Sequence, residues 1–360
     1  ELQLGRAVSA SAITENEGRV TLSGVDRPSS AIAALQEFEY DAIICSYNLR
    51  SEQGGYFLLE QLQSEHALSL TNAFIFTSAD TSAEVVHAII ELQPDEFIAK
   101  PFSVNELDRR LSRVLSRKAA LKNVYQFMDS GEHERALYEI EQFLLQPEYA
   151  EHFPLAMKIK GDLLFLNQRF SQALAFYDGI VNVQDFSWAK IGIAKCLIAL
   201  EDFDDAEREV LQLAMRPDAE LAAYDLLATL KIKHEAFDDA LECTRLACQI
   251  SPRKISRHRK AVNLARITHN YESQFASAKH VVRYAKDSIH DAPDNYLNAA
   301  RAGVDFAMTS DPADVNKIVK QATSYLQQLK QAHPKTELNE ELKVIDARIH
   351  YLKDDITKAQ

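Results

Sequence analysis

The chain has few residues of the kinds that mark specialised environments. Its 360 residues include only four cysteines, ten glycines, ten prolines and one tryptophan. The cysteines form no Cys-x-x-Cys pair and no disulfide-framework spacing, so we expect free thiols and a reducing compartment. They are Cys45, Cys196, Cys243 and Cys248. The thin glycine and proline content excludes collagen-like and low-complexity chains.

Long apolar runs are missing too. No stretch approaches the ~18 apolar residues that a membrane-spanning helix needs. The segment from Glu1 to Leu4 has neither the basic region nor the apolar stretch of a signal peptide. We therefore expect a cytoplasmic protein without a membrane partner.

Positive charge is in the minority. Forty basic residues against fifty-three acidic ones give a net charge of -13. Such a charge repels the phosphate backbone of nucleic acids over the molecule as a whole. Nucleic acid is consequently not an expected partner.

Motifs of catalysis and metal binding are missing from the sequence. The eleven histidines show no His-Glu-x-x-His motif and no paired Cys/His spacing. No Gly-x-Gly-x-x-Gly segment, Walker loop or nucleophile elbow occurs. We expect no enzymatic activity, no catalytic residues, no metal site and no cofactor.

The pattern of predicted secondary structure changes near residue 116. Before it, short β-branched runs alternate with amphipathic stretches. The runs predict strands at 19–22, 41–45, 73–77 and 96–99, and the stretches predict helices at 29–38, 55–64, 82–92 and 103–116. Ser103 with Glu106 three residues later predicts a capping box. Alternating strands and helices predict a parallel, doubly wound sheet.

From about residue 119 onward a short segment recurs. Its aligned alanines lie 37, 33 and 34 residues apart, and a period near 34 predicts helix–turn–helix units of the tetratricopeptide type. A small residue stands twelve positions before each of the last three, where two helices could cross closely. The alanines are Ala136, Ala173, Ala206 and Ala240, and the small residues are Gly161, Ala194 and Ala228.

Weaker copies of the segment follow. One passes through 271–278 and another through 352–359, where the copy stops at the start of its second helix. We therefore expect the natural chain to continue past Gln360, with the repeat array truncated here. The sequence predicts two domains, a strand-and-helix domain at 1–116 and an all-α repeat domain at 117–360.

Several positions of the first domain match one known pattern. Thr77 ends a hydrophobic strand, Phe97 precedes Lys100-Pro101-Phe102, and residues 41–49 form a strand with its loop. On these residues, 1–116 resembles the receiver domain of bacterial two-component response regulators. The resemblance implies a flavodoxin-like, doubly wound parallel sheet, here with its first strand apparently missing from the chain. It also implies a cis peptide bond between Lys100 and Pro101.

The chemistry of that family requires an acceptor aspartate, an acidic pair for Mg²⁺, a hydroxyl group and a lysine. Here Ser46 stands at the acceptor position, and of the acidic pair at most Glu1 remains. We therefore predict a receiver that is not phosphorylated in this form, and Mg²⁺ only if an acidic pair precedes or includes Glu1. The alternative is a working receiver whose phosphorylation alters a protein-binding output. In the receiver that is not phosphorylated, the relics of the phosphate pocket and switch are Glu1, Asn48, Thr77, Phe97 and Lys100.

Motifs in the second domain extend the resemblance. They are Ser187-Trp188-Ala189-Lys190-Ile191-Gly192, Ala223-Tyr224-Asp225 and Ile250-Ser251-Pro252-Arg253. With the receiver-like part, they make the chain similar to the tetratricopeptide-containing response regulators of gammaproteobacteria. This resemblance implies a signalling adaptor or scaffold of a two-component pathway. Its partner would be another protein, for example a second two-component protein, and a homodimer is a further possibility.

Candidate partner-binding residues follow from the repeat pattern. Stacked repeats curve so that their first helices line an inner face, and polar or aromatic residues there are Lys158, Trp188, Lys190, Asp225 and Lys231. Trp188 has packing as its alternative role. The dense basic cluster at 253–260 adds Arg253 and Arg257, which would contact an acidic partner or RNA. The alternative for this cluster is a solvated first turn of a helix.

Overall fold

The computed structural model describes residues 10–16, 19–25, 28–38, 40–48, 54–335 and 339–353. It divides into two compact units, Glu1–Ala223 and Tyr224–Gln360, which are treated separately below. No helix in the described ranges is long and apolar enough to cross a membrane.

A five-stranded sheet forms the core of the N-terminal part. The strands are β1 (Ala10–Asn16), β2 (Arg19–Val25), β3 (Ala42–Ser46), β4 (Ala73–Ser78) and β5 (Glu96–Ala99), in the order β2-β1-β3-β4-β5. The last three pair in parallel, as predicted. β1 was not predicted, and it pairs antiparallel with both β2 and β3. Only two residues separate β1 from β2, too few for the crossover that parallel strands require.

Helices cover both faces of this sheet, which confirms the doubly wound prediction. They are α1 (Pro28–Glu37), α2 (Gly55–Ser64), α3 (Ala83–Leu92) and α4 (Val104–Ala120). Successive side chains of a strand point to opposite faces. Phe74 and Phe76 accordingly pack in the cluster that contains residues of α2 and α3, while Ile75 packs with Leu107 of α4.

The last helix of this part runs on into the repeats. Ser103 caps α4 by accepting a hydrogen bond from the Glu106 amide at 3.1 Å, as the capping box predicted. α4 continues beyond the predicted end at 116 and is followed, after the buried Leu121, by α5 (Lys122–Asp129). The boundary between domains at residue 116 stays a prediction.

Helices, most of them in consecutive pairs, make up most of the remaining described residues. In the first unit α5 pairs with α6 (His133–Phe143), α7 (Phe153–Leu166) with α8 (Phe170–Val183), and α9 (Ser187–Ala199) with α10 (Phe203–Leu213). α11 (Glu220–Lys233) crosses the division between the units. The second unit continues with α12 (Phe237–Ile250), α13 (Ile255–Ile267), α14 (Tyr271–Ala285), α15 (Pro293–Thr309), α16 (Pro312–Ala332) and α17 (Asn339–Leu352).

The repeat alanines are confirmed as close-contact residues. Ala136, Ala173, Ala206 and Ala240 are fully buried, each three residues after the start of its helix. The equivalent position of α14 is Gln274, which is buried as well. The final copy at 352–359 lies largely outside the described residues.

One tyrosine shows why the repeats need small residues. The Tyr177 ring lies between α7 and α9 against two glycines. A Cβ atom on Gly161 would come within 2.4 Å of the ring, and one on Gly192 within 2.5 Å. Any larger side chain at either position would have to displace the buried Tyr177 ring.

The turns inside the helix pairs share one backbone conformation. In five pairs the second residue after the first helix has a left-handed φ between 56° and 71°. These residues are Gly131, Gln168, Glu201, Glu235 and His269. Left-handed backbone costs an L-residue roughly 1–2 kcal/mol and costs glycine nothing. Of these five turns, only the one between α5 and α6 has glycine, Gly131, at the left-handed position.

Alanine at Gly131 is expected to lower the free energy of unfolding by about 1 kcal/mol. The matched substitution Gly179→Ala, in the exposed interior of α8, is expected to raise it by about 0.5–1 kcal/mol. An added Cβ meets nothing within 4 Å at either glycine, so backbone conformation alone separates the two. Urea unfolding measures both variants. A shift in the same direction for the two would contradict the turn geometry.

Candidate functional site

Three predicted pocket residues meet at the carboxyl edge of the parallel strands. Ser46 ends β3, and Thr77 lies directly opposite it in β4. Lys100 follows β5, and its peptide bond to Pro101 is cis, as predicted. Since parallel strands end at the same edge of a sheet, the three side chains point into one small region.

The contacts within this region are long. The Lys100 Nζ lies 3.5 Å from the Ser46 Oγ, and this hydroxyl lies 3.4 Å from the backbone oxygen of Asn48. The hydroxyl of Thr77 is buried and lies 3.5 Å from the backbone oxygen of Cys45. Lys100 itself is exposed. The arrangement holds a hydroxyl beside an ammonium group, with a second hydroxyl behind.

Backbone hydrogen bonds fix the described residues that follow β3. The Tyr47 amide donates to the Thr77 carbonyl at 2.9 Å, and the Gly55 amide donates to the Tyr47 carbonyl at 2.8 Å. A Cβ on Gly55 would lie 2.3 Å from the backbone oxygen of Ser46. Glycine at this position thus lets α2 begin against the end of β3, which fixes the position of Ser46.

Cys45 stands beside Ser46 and points into the core. Its thiol is fully buried, and burial raises the pKa of the Cys45 thiol to about 12, although Lys100 acts to lower it. A thiol with such a pKa is not ionised near neutrality and is a poor nucleophile. Cys45 is therefore a core residue rather than a reactive one.

The described residues of this pocket do not fit a magnesium ion. Mg²⁺ takes hard oxygen ligands, usually with one or two carboxylates. Ser46, Asn48 and Thr77 supply hydroxyl and amide groups, and no cluster of three acidic, histidine or cysteine side chains in the described ranges could hold a metal. Glu1, the remaining candidate ligand, lies outside the described residues.

Phe97 occupies the predicted switch position. Its side chain is half-buried and packs against the cluster around Phe74 and Phe76. The guanidinium of Arg110 donates to the Phe97 carbonyl at 3.2 Å and to Glu96 at 3.3 Å. These bonds tie β5 to α4 directly behind Lys100.

Residues 3–112 match the family model of the response regulator receiver domain. This part of the chain is a receiver domain. The sheet edge formed by Ser46, Thr77 and Lys100 lies within the matched residues. Comparison with curated proteins finds no match to the chain.

Solved structures resemble the chain through its helical part. The C-terminal part of a TPR repeat-containing protein from Cytophaga hutchinsonii is 14% identical, with a TM-score of 0.45, over 66% of this chain and 91% of that one. Pseudomonas aeruginosa PilF is 14% identical, with a TM-score of 0.42, over 62% and 95%. A tetratricopeptide repeat protein from Parabacteroides merdae is 13% identical, with a TM-score of 0.38, over 68% and 89%.

In the repeats of the first unit, two predicted partner-binding residues have contacts of their own. Trp188 is half-buried and stacks on Phe186, with ring centroids 5.7 Å apart. It also meets the Tyr177 ring edge-on at 6.2 Å. The Lys190 ammonium lies 3.1 Å from Asp185. The structure thus supports the packing role for Trp188 and an ion pair for Lys190.

Lys158 belongs to a charged cluster with Asp162 and Lys195, of which only Lys158 was predicted from the sequence. Asp162 stands one helical turn further along α7 and accepts a hydrogen bond from the Tyr177 hydroxyl at 3.3 Å. Partial desolvation raises the pKa of Asp162, while the positive charges of Lys158 and Lys195 lower it. Lys195, on the first helix of the following pair, therefore lies close enough to influence the pKa of Asp162. The i, i+4 spacing of Lys158 and Asp162 is the sequence pattern that could have identified Asp162.

The second unit corrects the prediction for the basic cluster. Arg257 is buried, and its guanidinium bonds both Asp225 oxygens, at 2.7 and 3.0 Å, and the Ser251 carbonyl at 3.0 Å. His258 is buried too, and this burial lowers its pKa to about 4. Arg257 and Asp225 therefore join α13 to α11 instead of facing a partner. Lys231 and Arg253 are half-buried.

Proposed function

We propose that this chain is a non-enzymatic cytoplasmic adaptor of a two-component pathway, with a receiver that is not phosphorylated and repeats that bind a protein. The observation that carries the first half is the hydroxyl of Ser46 where the chemistry needs a carboxylate. An acyl phosphate forms by attack of a carboxylate, and a serine hydroxyl needs an activating base to attack at all. Lys100, an ammonium donor, is not such a base.

Acetyl phosphate with Mg²⁺ is expected to leave the receiver unmodified. Intact-mass measurement of the full chain checks this, because one phosphoryl group adds a resolvable mass. A phosphorylated adduct that maps to residues 3–112 would favour the alternative, a phosphorylation-switched regulator. The variant Ser46→Asp separates a missing acceptor carboxylate from an otherwise incomplete pocket. An adduct on that variant alone would show that the missing carboxylate prevents phosphorylation.

The second half rests on the cluster of Lys158, Asp162 and Lys195. The three lie on the first helices of consecutive pairs, the helices that line the inner face of a repeat array. Their net charge is +1 in a chain whose overall charge is -13. A local excess of positive charge there suits an acidic segment of a partner protein.

Reversal of both lysine charges tests this surface. The variant Lys158→Glu with Lys195→Glu should lose, in quantitative crosslinking from cells of the source organism, a protein that the wild type captures. Lys122→Glu with Arg208→Glu is the matched control, since both residues are exposed on the same unit. A partner that both double variants retain would mean that this surface is not the binding face.

A further inference from the structure

The three most exposed large apolar side chains among the described residues lie at matching places in three successive repeats. They are Leu145, Val183 and Met215, with exposed fractions of 73%, 88% and 84%. They stand nine, ten and nine residues after the buried alanines of their repeats, where each second helix ends. Single exposed apolar residues need no explanation, but a set that recurs with the repeat does.

An acidic residue follows each of them at nearly the same distance. Glu148 comes three residues after the first, Asp185 two after the second, and Asp218 three after the third, and all three are exposed. Exposed Glu151 adds a fourth carboxylate beside the first. We call these three apolar residues and four acidic residues the apolar-acidic edge.

Contacts between successive repeats join the parts of this edge. The Arg216 guanidinium lies 3.1 Å from the Asp185 carboxylate and 3.0 Å from its backbone oxygen, so the loops after α8 and α10 touch. Lys160 pairs with Glu141 of α6 at 2.9 Å and lies 5.3 Å from the Phe176 ring of α8, which ties these two second helices together through α7.

The charge balance of the edge is negative. Arg216 and Lys190 both pair with Asp185, and Arg216 also lies 3.8 Å from Asp218. The four carboxylates therefore face two lysine or arginine side chains, which both pair with Asp185, and the His152 imidazole lies 3.4 Å from Glu151. A net negative surface beside an apolar row is complementary to a segment that has apolar residues on one side and lysine or arginine beside them.

We propose that the apolar-acidic edge is a docking surface for a basic amphipathic helix of a partner protein. Such a helix would set its apolar stripe against Leu145, Val183 and Met215 and its flanking cations against the carboxylates. Basic amphipathic helices present these two features together. The edge lies where the second helices end and shares no residue with the cluster of Lys158, Asp162 and Lys195, so the two surfaces are tested by different variants.

The test is the anisotropy of a labelled synthetic helix that carries leucine on one face and lysine on both flanks. Wild-type full chain should bind it, and the triple variant Leu145→Ser, Val183→Ser, Met215→Ser should bind at least about tenfold more weakly. Leu166→Ser with Leu200→Ser is the matched control, because these exposed leucines end first helices at the opposite edge. The control should bind like the wild type.

A second variant distinguishes weaker binding from a loss of folding. Glu148→Lys with Asp218→Lys leaves the apolar row intact, and it should weaken the lysine helix but favour a helix with glutamate on its flanks. Several results would overturn the proposal: no binding to the wild type, equal weakening by the control, or no effect of the charge reversal. Equal binding of a proline-interrupted peptide of the same composition would also overturn it, since the occupant would then be an extended chain.

Discussion

Replacing Asp95 by alanine is expected to lower the free energy of unfolding of the first unit by about 3–5 kcal/mol. The Lys118 ammonium is nearly buried, and Asp95 lies 2.8 Å from it. Burial lowers the pKa of Lys118, and Asp95 is the main group that acts against this. Asp95 also accepts the Phe74 amide at 2.9 Å and pairs with Arg117 at 3.3 Å. Its loss leaves a buried cation without its counter-charge.

Urea unfolding followed by circular dichroism measures the effect. Asp108→Ala is the matched control, because Asp108 is exposed on α4, and surface substitutions usually change stability by less than about 0.5 kcal/mol. Adding Lys118→Met to Asp95→Ala should restore part of the loss, since the unpaired charge is then removed. Equal midpoints for Asp95→Ala and Asp108→Ala would show that the ion pair does not stabilise the fold.

Leucine at Ala240 is expected to destabilise the second unit by about 1–3 kcal/mol, the usual cost of overpacking. Ala240 is fully buried in a cluster with Ala261, Leu264 and Ala265 of α13. Leucine adds three heavy atoms where no volume is spare. Each repeat is stabilised mainly by its neighbours, so the damage should spread to adjacent repeats. The receiver domain has its own core and should stay folded.

Thermal melting of the helical circular dichroism signal compares Ala240→Leu with Asp239→Leu. Asp239 is the preceding residue and is exposed, so leucine there tests hydrophobicity without overpacking. The first variant should melt several degrees lower. If both variants melt at the same temperature, the register of the repeats is wrong.

Sequence patterns predicted the parts of the fold that have a strong period. Short β-branched apolar runs placed β3, β4 and β5 to within a residue or two, and the spacing of the alanines placed the helix pairs. In each case the pattern is the direct imprint of burial, because most residues that face the core are apolar or small.

Features that depend on tertiary contacts could not be predicted from local sequence patterns. Arg257 reads as a surface cation in a basic run, yet a carboxylate 32 residues earlier holds it inside the protein. Gln274 has no apolar signature, although it takes the position of the repeat alanines. Lys195 joins Lys158 only because consecutive first helices stand side by side. Which polar groups meet depends on the folded geometry and not on local spacing.

The passage from α4 through Leu121 into α5 determines how motion can travel between the receiver and the repeats. Two bonds brace this passage from the side: Asp129 accepts from the Leu70 amide at 2.9 Å, and Lys118 donates to the Leu70 carbonyl at 2.7 Å. A connection of this kind acts as a rigid linker rather than a flexible one. A rotation of α4 against the sheet would therefore be expected to move the first helix pair with it, because the two helices follow each other without a flexible linker.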